Sequence, residues 1–164
     1  MPIQMQAVPI GMSMRDMIGL APTGSGKSAA FLVPLITFIL KQPRIQGRLI
    51  EDGPYGLIMT PTRELAQQIE KEFVKLTAHT QLRSVTVVGG KSAEEQGSLI
   101  STGVEVVIGT PGRIEDCLQR RTLVLNQCYF VILDEADRMI DYNFEDSVKN
   151  IIDSIPEHLH KGDD

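Results

Sequence analysis

The sequence predicts an α/β fold: a doubly wound parallel sheet with helices on both faces. Three observations predict it. Short apolar runs recur along the chain, segments of helical periodicity separate them, and each unusual loop directly follows an apolar run. Strands covered on both faces read as near-continuous apolar runs. Their alternation with helices implies right-handed crossovers between parallel strands. At 164 residues the chain is the size of one domain and long enough to bury a real core.

Taken in order, the predicted strands are "DMIGLA" (16–21), "YGLIMT" (55–60), "SVTVVGG" (84–90), "VEVVIGT" (104–110) and "YFVILDE" (129–135). Helices are predicted over 26–40, 63–78, 92–101, 112–120 and 144–155. The clearest is 63–78, where Leu65, Ile69, Phe73 and Leu76 fall on one stripe, with Glu70, Lys71, Glu72 and Lys75 mostly elsewhere. Residues 41–54, "KQPRIQGRLIEDGP", are polar with Pro and Gly at both ends and predict a long exposed loop. Arg44 and Arg48 could meet a protein partner there. Open α/β sheets bind ligands at the carboxyl ends of their strands. "PTGSGKS", "PTREL", "GG", "TPGR" and "DEAD" each follow a predicted strand, so one sheet edge is expected to collect them.

Composition narrows the function classes. The hydrophobic fraction of 42% and charged fraction of 23% are ordinary for a globular protein. No apolar run reaches the roughly 20 residues of a membrane helix, and "MPIQMQAVPI" lacks the basic start and long apolar core of a signal peptide. Cys117 and Cys128 form no CxxC pair and are expected to be buried and inert in a reducing compartment. A net charge of −5 argues against a generally basic nucleic-acid binder, but a local basic face can coexist with it. His158 and His160 are two residues apart, but without a third ligand nearby they are expected to lie in a frayed, solvated tail, and His79 is read as equally ordinary.

The stretch "APTGSGKS" (21–28) has the spacing of a phosphate-binding loop, with Ala21 at the usual first glycine. Gly24 and Gly26 let the backbone curl and turn amide N–H groups inward. Lys27 opens a helix whose N-terminal dipole favours phosphate. In this reading Lys27 meets the β- and γ-phosphates and the Ser28 hydroxyl faces Mg2+. A flexible Gly/Ser turn before a helix would look the same in isolation. "VILDEAD" supplies what such a loop needs at the end of another strand: Asp134 as the metal-side carboxylate, and Glu135 as base or orienter of water. Asp137 could bridge to a neighbouring loop. An acid-rich helix start explains one or two of these acids, but not their company with "GSGKS" in one sheet.

With these motifs in view, the chain resembles the N-terminal RecA-like lobe of the DEAD-box RNA helicases. The matching pieces are "PIQMQ" (2–6), "APTGSGKS" (21–28), "PTRELAQQI" (61–69), "GG" (89–90), "TPGR" (110–113) and "DEADRMID" (134–141), in the family's order and over nearly the whole chain. The approaches "GPYGLIMTPTREL" and "LVLNQCYFVILDEAD" look most like the spliceosomal branch of the family. The resemblance implies a P-loop NTPase fold, with ATP and Mg2+ as cofactors and RNA as partner. It also implies ATP-driven local unwinding of RNA duplexes, a nuclear setting in pre-mRNA splicing, and spliceosomal protein partners.

It assigns roles by position. Gln4 would read the adenine edge, since an amide can both donate to and accept from it. Ala21, Thr23, Gly24, Ser25, Gly26, Lys27 and Ser28 would cradle phosphates, with Ser28 and Asp134 serving Mg2+. Catalysis would rest on Lys27, Asp134 and Glu135. Pro61, Thr62, Arg63, Gly89, Gly90, Thr110, Pro111, Gly112 and Arg113 would face the RNA backbone, where contacts to phosphate and sugar carry little sequence information. For Arg63 and Arg113 taken singly, salt bridging within the domain is the competing reading.

Departures from the family pattern carry their own expectations. Met1 stands where threonine is usual, and the family's adenine-stacking aromatic lies upstream of it, so weaker adenine binding is expected. Ser28 replaces threonine and keeps the hydroxyl. Asn143 stands where glycine is common, and asparagine tolerates left-handed backbone best among the other residues. The family continues past this point with a "SAT" loop, a linker and a second RecA-like lobe that supplies phosphoryl-stabilising arginines. Residues 1–164 alone are therefore expected to bind nucleotide weakly and turn it over slowly. Rival readings are a DEAD-box enzyme of ribosome assembly or translation, and a non-catalytic adaptor. Intact Lys27, Asp134 and Glu135 argue against the adaptor.

Overall fold

A computed structural model describes residues 1–160 of the chain. Four parallel strands, β1 (Gly56–Met59), β2 (Ser84–Val87), β3 (Val106–Gly109) and β4 (Phe130–Leu133), form one sheet in the order β2-β3-β1-β4. Among the described residues seven α-helices surround it: α1 (Pro2–Met12), α2 (Lys27–Ile39), α3 (Arg63–Leu76), α4 (Ala93–Ser101), α5 (Pro111–Gln119), α6 (Ala136–Asp141) and α7 (Glu145–Asp153). The strand period of two sends alternate residues to opposite faces. Ile58, Val106 and Ile108 join α2 and α3 in one core with Leu32, Leu35, Ile69 and Phe73. Leu57, Met59, Val85, Val87 and Val107 join α4, α5 and α7 in the other, with Ile100, Ile114, Cys117 and Ile151. The doubly wound parallel sheet covered on both faces is as predicted, and it reflects these near-continuous apolar strands.

The strand predicted over 16–21 does not form. The stretch is extended but joins no ladder, and Ile18 and Leu20 are 95% and 91% exposed. A strand needs a hydrogen-bonding neighbour, and among the described residues the ladders join only the strands β1 to β4. Two helices were not foreseen. α1 carries Pro2 in its first turn, where the missing N–H costs nothing, and Gly11 lets it approach α2 closely, since a Cβ there would stand 2.7 Å from Pro34. α6 is a short helix directly after β4.

The 41–54 segment is less loose than predicted. It contains a 3-10 helix, Gly47–Asp52, and is anchored by Ile45, which is 1% exposed. The Tyr55 hydroxyl donates to Pro43 O at 2.7 Å, and Gln127 Nε2 donates to Leu49 O and Gly53 O at 2.8 and 2.6 Å. Arg44 bonds Gln81 within the domain, while Arg48 is exposed. Below the sheet the buried Glu105 carboxylate accepts from Arg83 N at 2.8 Å and Ile45 N at 3.3 Å, with the Arg83 guanidinium 3.6 Å away. The tail is also ordered through residue 160. His158 lies in a 3-10 turn, Glu157–Leu159, Leu159 packs on the core, and His160 Nε2 lies 3.1 Å from Ile155 O. The remainder of the predicted frayed tail, 161–164, lies outside the described residues.

Candidate nucleotide site and nucleic-acid interface

Four of the five motif loops follow strands as predicted, whereas the phosphate loop follows the unpaired 16–21 stretch. The phosphate loop runs into α2 with Gly26 as its N-cap. Gly24 and Gly26 have φ of +79° and +82°, the left-handed region that glycine enters without a Cβ penalty. No side chain caps α2 and no acid occupies its first turn, so its leading amides stay available to an anion. Gly24 is exposed, and a Cβ there would meet nothing within 4 Å, so its dihedral and not crowding favours glycine. Ser25 closes the loop on itself, its hydroxyl donating to Pro22 O at 2.6 Å. Ala21, Thr23, Lys27 and Ser28 lie along the same turn, all at least partly accessible.

α1 brings Gln4 to this loop. Gln4 Nε2 donates to Gly26 O at 3.2 Å, and a Cβ on Gly26 would collide with Gln4 Nε2 and Met1 Sδ at 2.5 and 2.6 Å. Glycine is thus favoured at 26 chiefly by its dihedral, since the ends of the Gln4 and Met1 side chains could move aside. Met1 occupies the place beside the loop where the resemblance expected a threonine.

The acids arrive from β4. Asp134 N donates to Met59 O at 2.9 Å, extending the β1–β4 ladder by one residue. Burial pushes the Asp134 carboxyl above its usual range; Lys27 draws it down and Glu135 adds to the rise. Lys27 and Asp134 therefore share one electrostatic site although 107 positions separate them (134 − 27). Glu135 is the N-cap of α6 with φ +55° and ψ +49°, a left-handed conformation that is uncommon for a residue with a Cβ. Its Oε2 accepts from Arg138 Nη1 at 2.8 Å, and Arg138 Nη2 bonds the Tyr142 hydroxyl at 3.1 Å. Asp137 is exposed, and the bridge expected of it is not made among the described residues.

The three remaining loops meet beside one another. Thr62 caps α3, its hydroxyl accepting from Leu65 N at 3.3 Å, and Pro61 precedes it. Arg63 lies over the Gly89–Gly90 turn: a Cβ at Gly90, where φ is +81°, would stand 2.7 Å from Arg63 Nη1. Arg113 Nη2 donates to Lys91 O at 3.2 Å, and its Nη1 lies 3.6 Å from Asp116. Thr110 caps α5 without using its side chain, leaving its hydroxyl available, and Pro111 starts that helix. Open space surrounds the Cβ positions of Gly89 and Gly112. Arg113 is thus partly engaged within the domain, as its competing reading foresaw; Arg63 forms no salt bridge among the described residues.

Two residues of this edge were missed in the sequence. Arg138 lies three positions after Glu135, one helical turn on, a spacing that brings side chains together. Gln96 is a polar residue at a buried position of α4, which a search restricted to motifs passes over.

A DEAD/DEAH box helicase family profile matches residues 1–161. The chain belongs to this family. It is 51% identical over 99% of its length to the Pre-mRNA-splicing ATP-dependent RNA helicase PRP28 of Yarrowia lipolytica, covering 28% of that protein. It is also 51% identical to the ATP-dependent RNA helicase ddx23 of Dictyostelium discoideum, over 99% of this chain and 20% of that one. Among solved structures it resembles the yeast DEAD-box splicing factor Prp28, with a TM-score of 0.87 and 40% identity over 93% of this chain and 36% of that one. Prp28 from Chaetomium thermophilum, solved bound to ADP, gives a TM-score of 0.82 and 50% identity over 92% of this chain and 36% of that one. The chain therefore spans about a fifth to a quarter of the length of the curated relatives it matches. The likeness to Prp28 bears out the RecA-like α/β fold.

Proposed function

We propose that this chain is the ATP-binding lobe of an ATP-dependent RNA helicase that separates short RNA duplexes during pre-mRNA splicing in the nucleus. The observation that carries this reading is the gathering of a phosphate loop, an acidic strand end and three backbone-facing loops on one sheet edge. The relatives' names supply the splicing context.

Mg-ATP fits the residues present. The uncapped amides of α2 and Lys27 would meet phosphate charge at the exposed Gly24 turn, and Ser28 and the desolvated Asp134 would provide oxygen ligands for Mg2+. Mg2+ bound there supplies charge neutralisation for phosphoryl transfer. Gln4, held against the loop by its bond to Gly26 O, would offer its remaining N–H and its amide oxygen to the adenine edge. Glu135 orients water and takes its proton, with Arg138 fixing the carboxylate. Arg63, Gly89–Gly90 and Arg113, with Pro61, Thr62, Thr110, Pro111 and Gly112, seat one RNA strand by its backbone. Base preference is weak because phosphate and sugar contacts are alike for every base.

The remaining positive charge for phosphoryl transfer comes from a second RecA-like lobe of the same protein. Arginine fingers in comparable sites are worth on the order of 10³–10⁵ in rate, so this lobe alone binds nucleotide but turns it over slowly. Spliceosomal proteins are the expected further partners. The test is strand displacement by the full-length protein on a short RNA duplex and on the matching DNA duplex. The account expects ATP-dependent separation of RNA only. Equal separation of DNA, or separation without ATP, would contradict it.

A further inference from the structure

The Gly89–Gly90 turn is where the three backbone-facing loops meet, and a side chain outside every motif holds it. Gln96 on α4 is 2% exposed. Its Nε2 donates at 2.9 Å to the carbonyl of Val88, the residue immediately before the turn. A carbonyl oxygen only accepts, so the amide nitrogen must face Val88 and the amide oxygen is left over. That oxygen is buried and unpartnered among the described residues. An unsatisfied buried acceptor is costly, and a leucine or methionine would fill the same space without it. The one gain that offsets the cost is the bond to Val88.

Small displacements of this turn have consequences on both sides. Gly90 lies against Arg63, and the next carbonyl, Lys91 O, accepts from Arg113. Fixing Val88 O therefore fixes the turn on which both cations rest. We infer that Gln96 is a positioning residue for RNA: its amide holds the Gly89–Gly90 turn, and through it Arg63 and Arg113, in the arrangement that receives an RNA backbone. This rests on the RNA reading proposed above. It predicts a defect confined to RNA, because the Gln96 amide bonds the Gly89–Gly90 turn, whereas Gln4 and Met1 are what lie against Gly26 of the nucleotide loop.

The test measures RNA-stimulated ATP hydrolysis by the full-length protein carrying Gln96→Met, which keeps length without the polar atoms, or Gln96→Glu, which keeps shape without the donor. Both should need roughly tenfold more single-stranded RNA for half-maximal stimulation, with KM for ATP and nucleotide affinity in the absence of RNA unchanged. Unchanged RNA dependence in the variants would overturn the assignment even if the melting temperature fell. So would an equal rise in KM for ATP, which would mark a general structural defect. If Gln96→Glu does not fold, Gln96→Met carries the test, since it introduces no charge. Arg63→Ala separates the two levels of the argument: if it leaves RNA dependence unaltered, the RNA interface itself is wrong, not the role of Gln96 within it.

Discussion

Glu135 and Asn143 both adopt left-handed backbone, with φ of +55° and +58°, at opposite ends of α6. The two positions illustrate different things. Asn143 ends the turn after α6, and its short polar side chain makes it the best substitute for glycine there. Replacing it with glycine should change stability by less than about 0.5 kcal/mol, whereas Asn143→Val should cost on the order of 1–2 kcal/mol, because a β-branched residue clashes in that conformation. Urea unfolding of the two variants checks this. Glu135 has no such excuse; its conformation is maintained by the strand before it and by Arg138 at 2.8 Å. Asn143 could be read from the sequence because the residue type announces its own dihedral. Glu135 could not, since glutamate is ordinary in any conformation and only the β4–α6 junction imposes this one.

Elements were legible where periodicity was strong and illegible where it depended on neighbours. α3 shows an apolar stripe in its sequence and starts and ends within two residues of its prediction. α1 is apolar on most sides with Pro9 inside it, so no stripe reveals it, and it is held by packing on α2. The 16–21 stretch has the composition of a strand but lacks a partner, and pairing is a property of two segments. Element contacts also give a pH prediction. Glu115 of α5 accepts from Ser147 Oγ at 2.6 Å and Asn150 Nδ2 at 2.7 Å on α7. These bonds hold its carboxyl below the usual range. A lowered folded-state value stabilises the fold above the unfolded value and loses that contribution as pH falls through the folded one. Glu115→Ala should therefore cost about 1 kcal/mol at pH 7, modest because the group is largely solvated. The difference from wild type should shrink as pH falls below the ordinary glutamate value and through the lower folded one, as thermal melts across pH would show.

Across the whole molecule, the fold was legible because strands buried on two faces are mostly apolar, and β1, β2 and β3 are buried along nearly their whole length, with Thr86 of β2 a buried polar exception. The candidate site was legible for a related reason: parallel strands deliver the loops that follow them to one edge, so chain order brings Asp134, Arg63 and Arg113 to a common side, while Lys27 reaches it after the unpaired 16–21 stretch. Hidden from the sequence were the cross-links within that edge, Gln4 on Gly26, Arg138 on Glu135 and Gln96 on Val88. Gln4–Gly26 and Gln96–Val88 join residues through geometry that no spacing rule encodes, whereas Arg138–Glu135 follows the i, i+3 spacing of a helix. The inert reading of the cysteines agrees with their burial, and Cys128 is pushed up to about 12 by it.

The central claim is that this edge couples ATP hydrolysis to RNA. Steady-state ATP hydrolysis by the full-length protein, with and without single-stranded RNA, tests it most directly, with single-stranded DNA and Glu135→Gln as controls. The account predicts turnover that RNA stimulates and DNA does not. Glu135→Gln should lower it by at least about 10²-fold, the scale of a lost general base, while nucleotide binding persists. Turnover indifferent to RNA, or undiminished in Glu135→Gln, would contradict it.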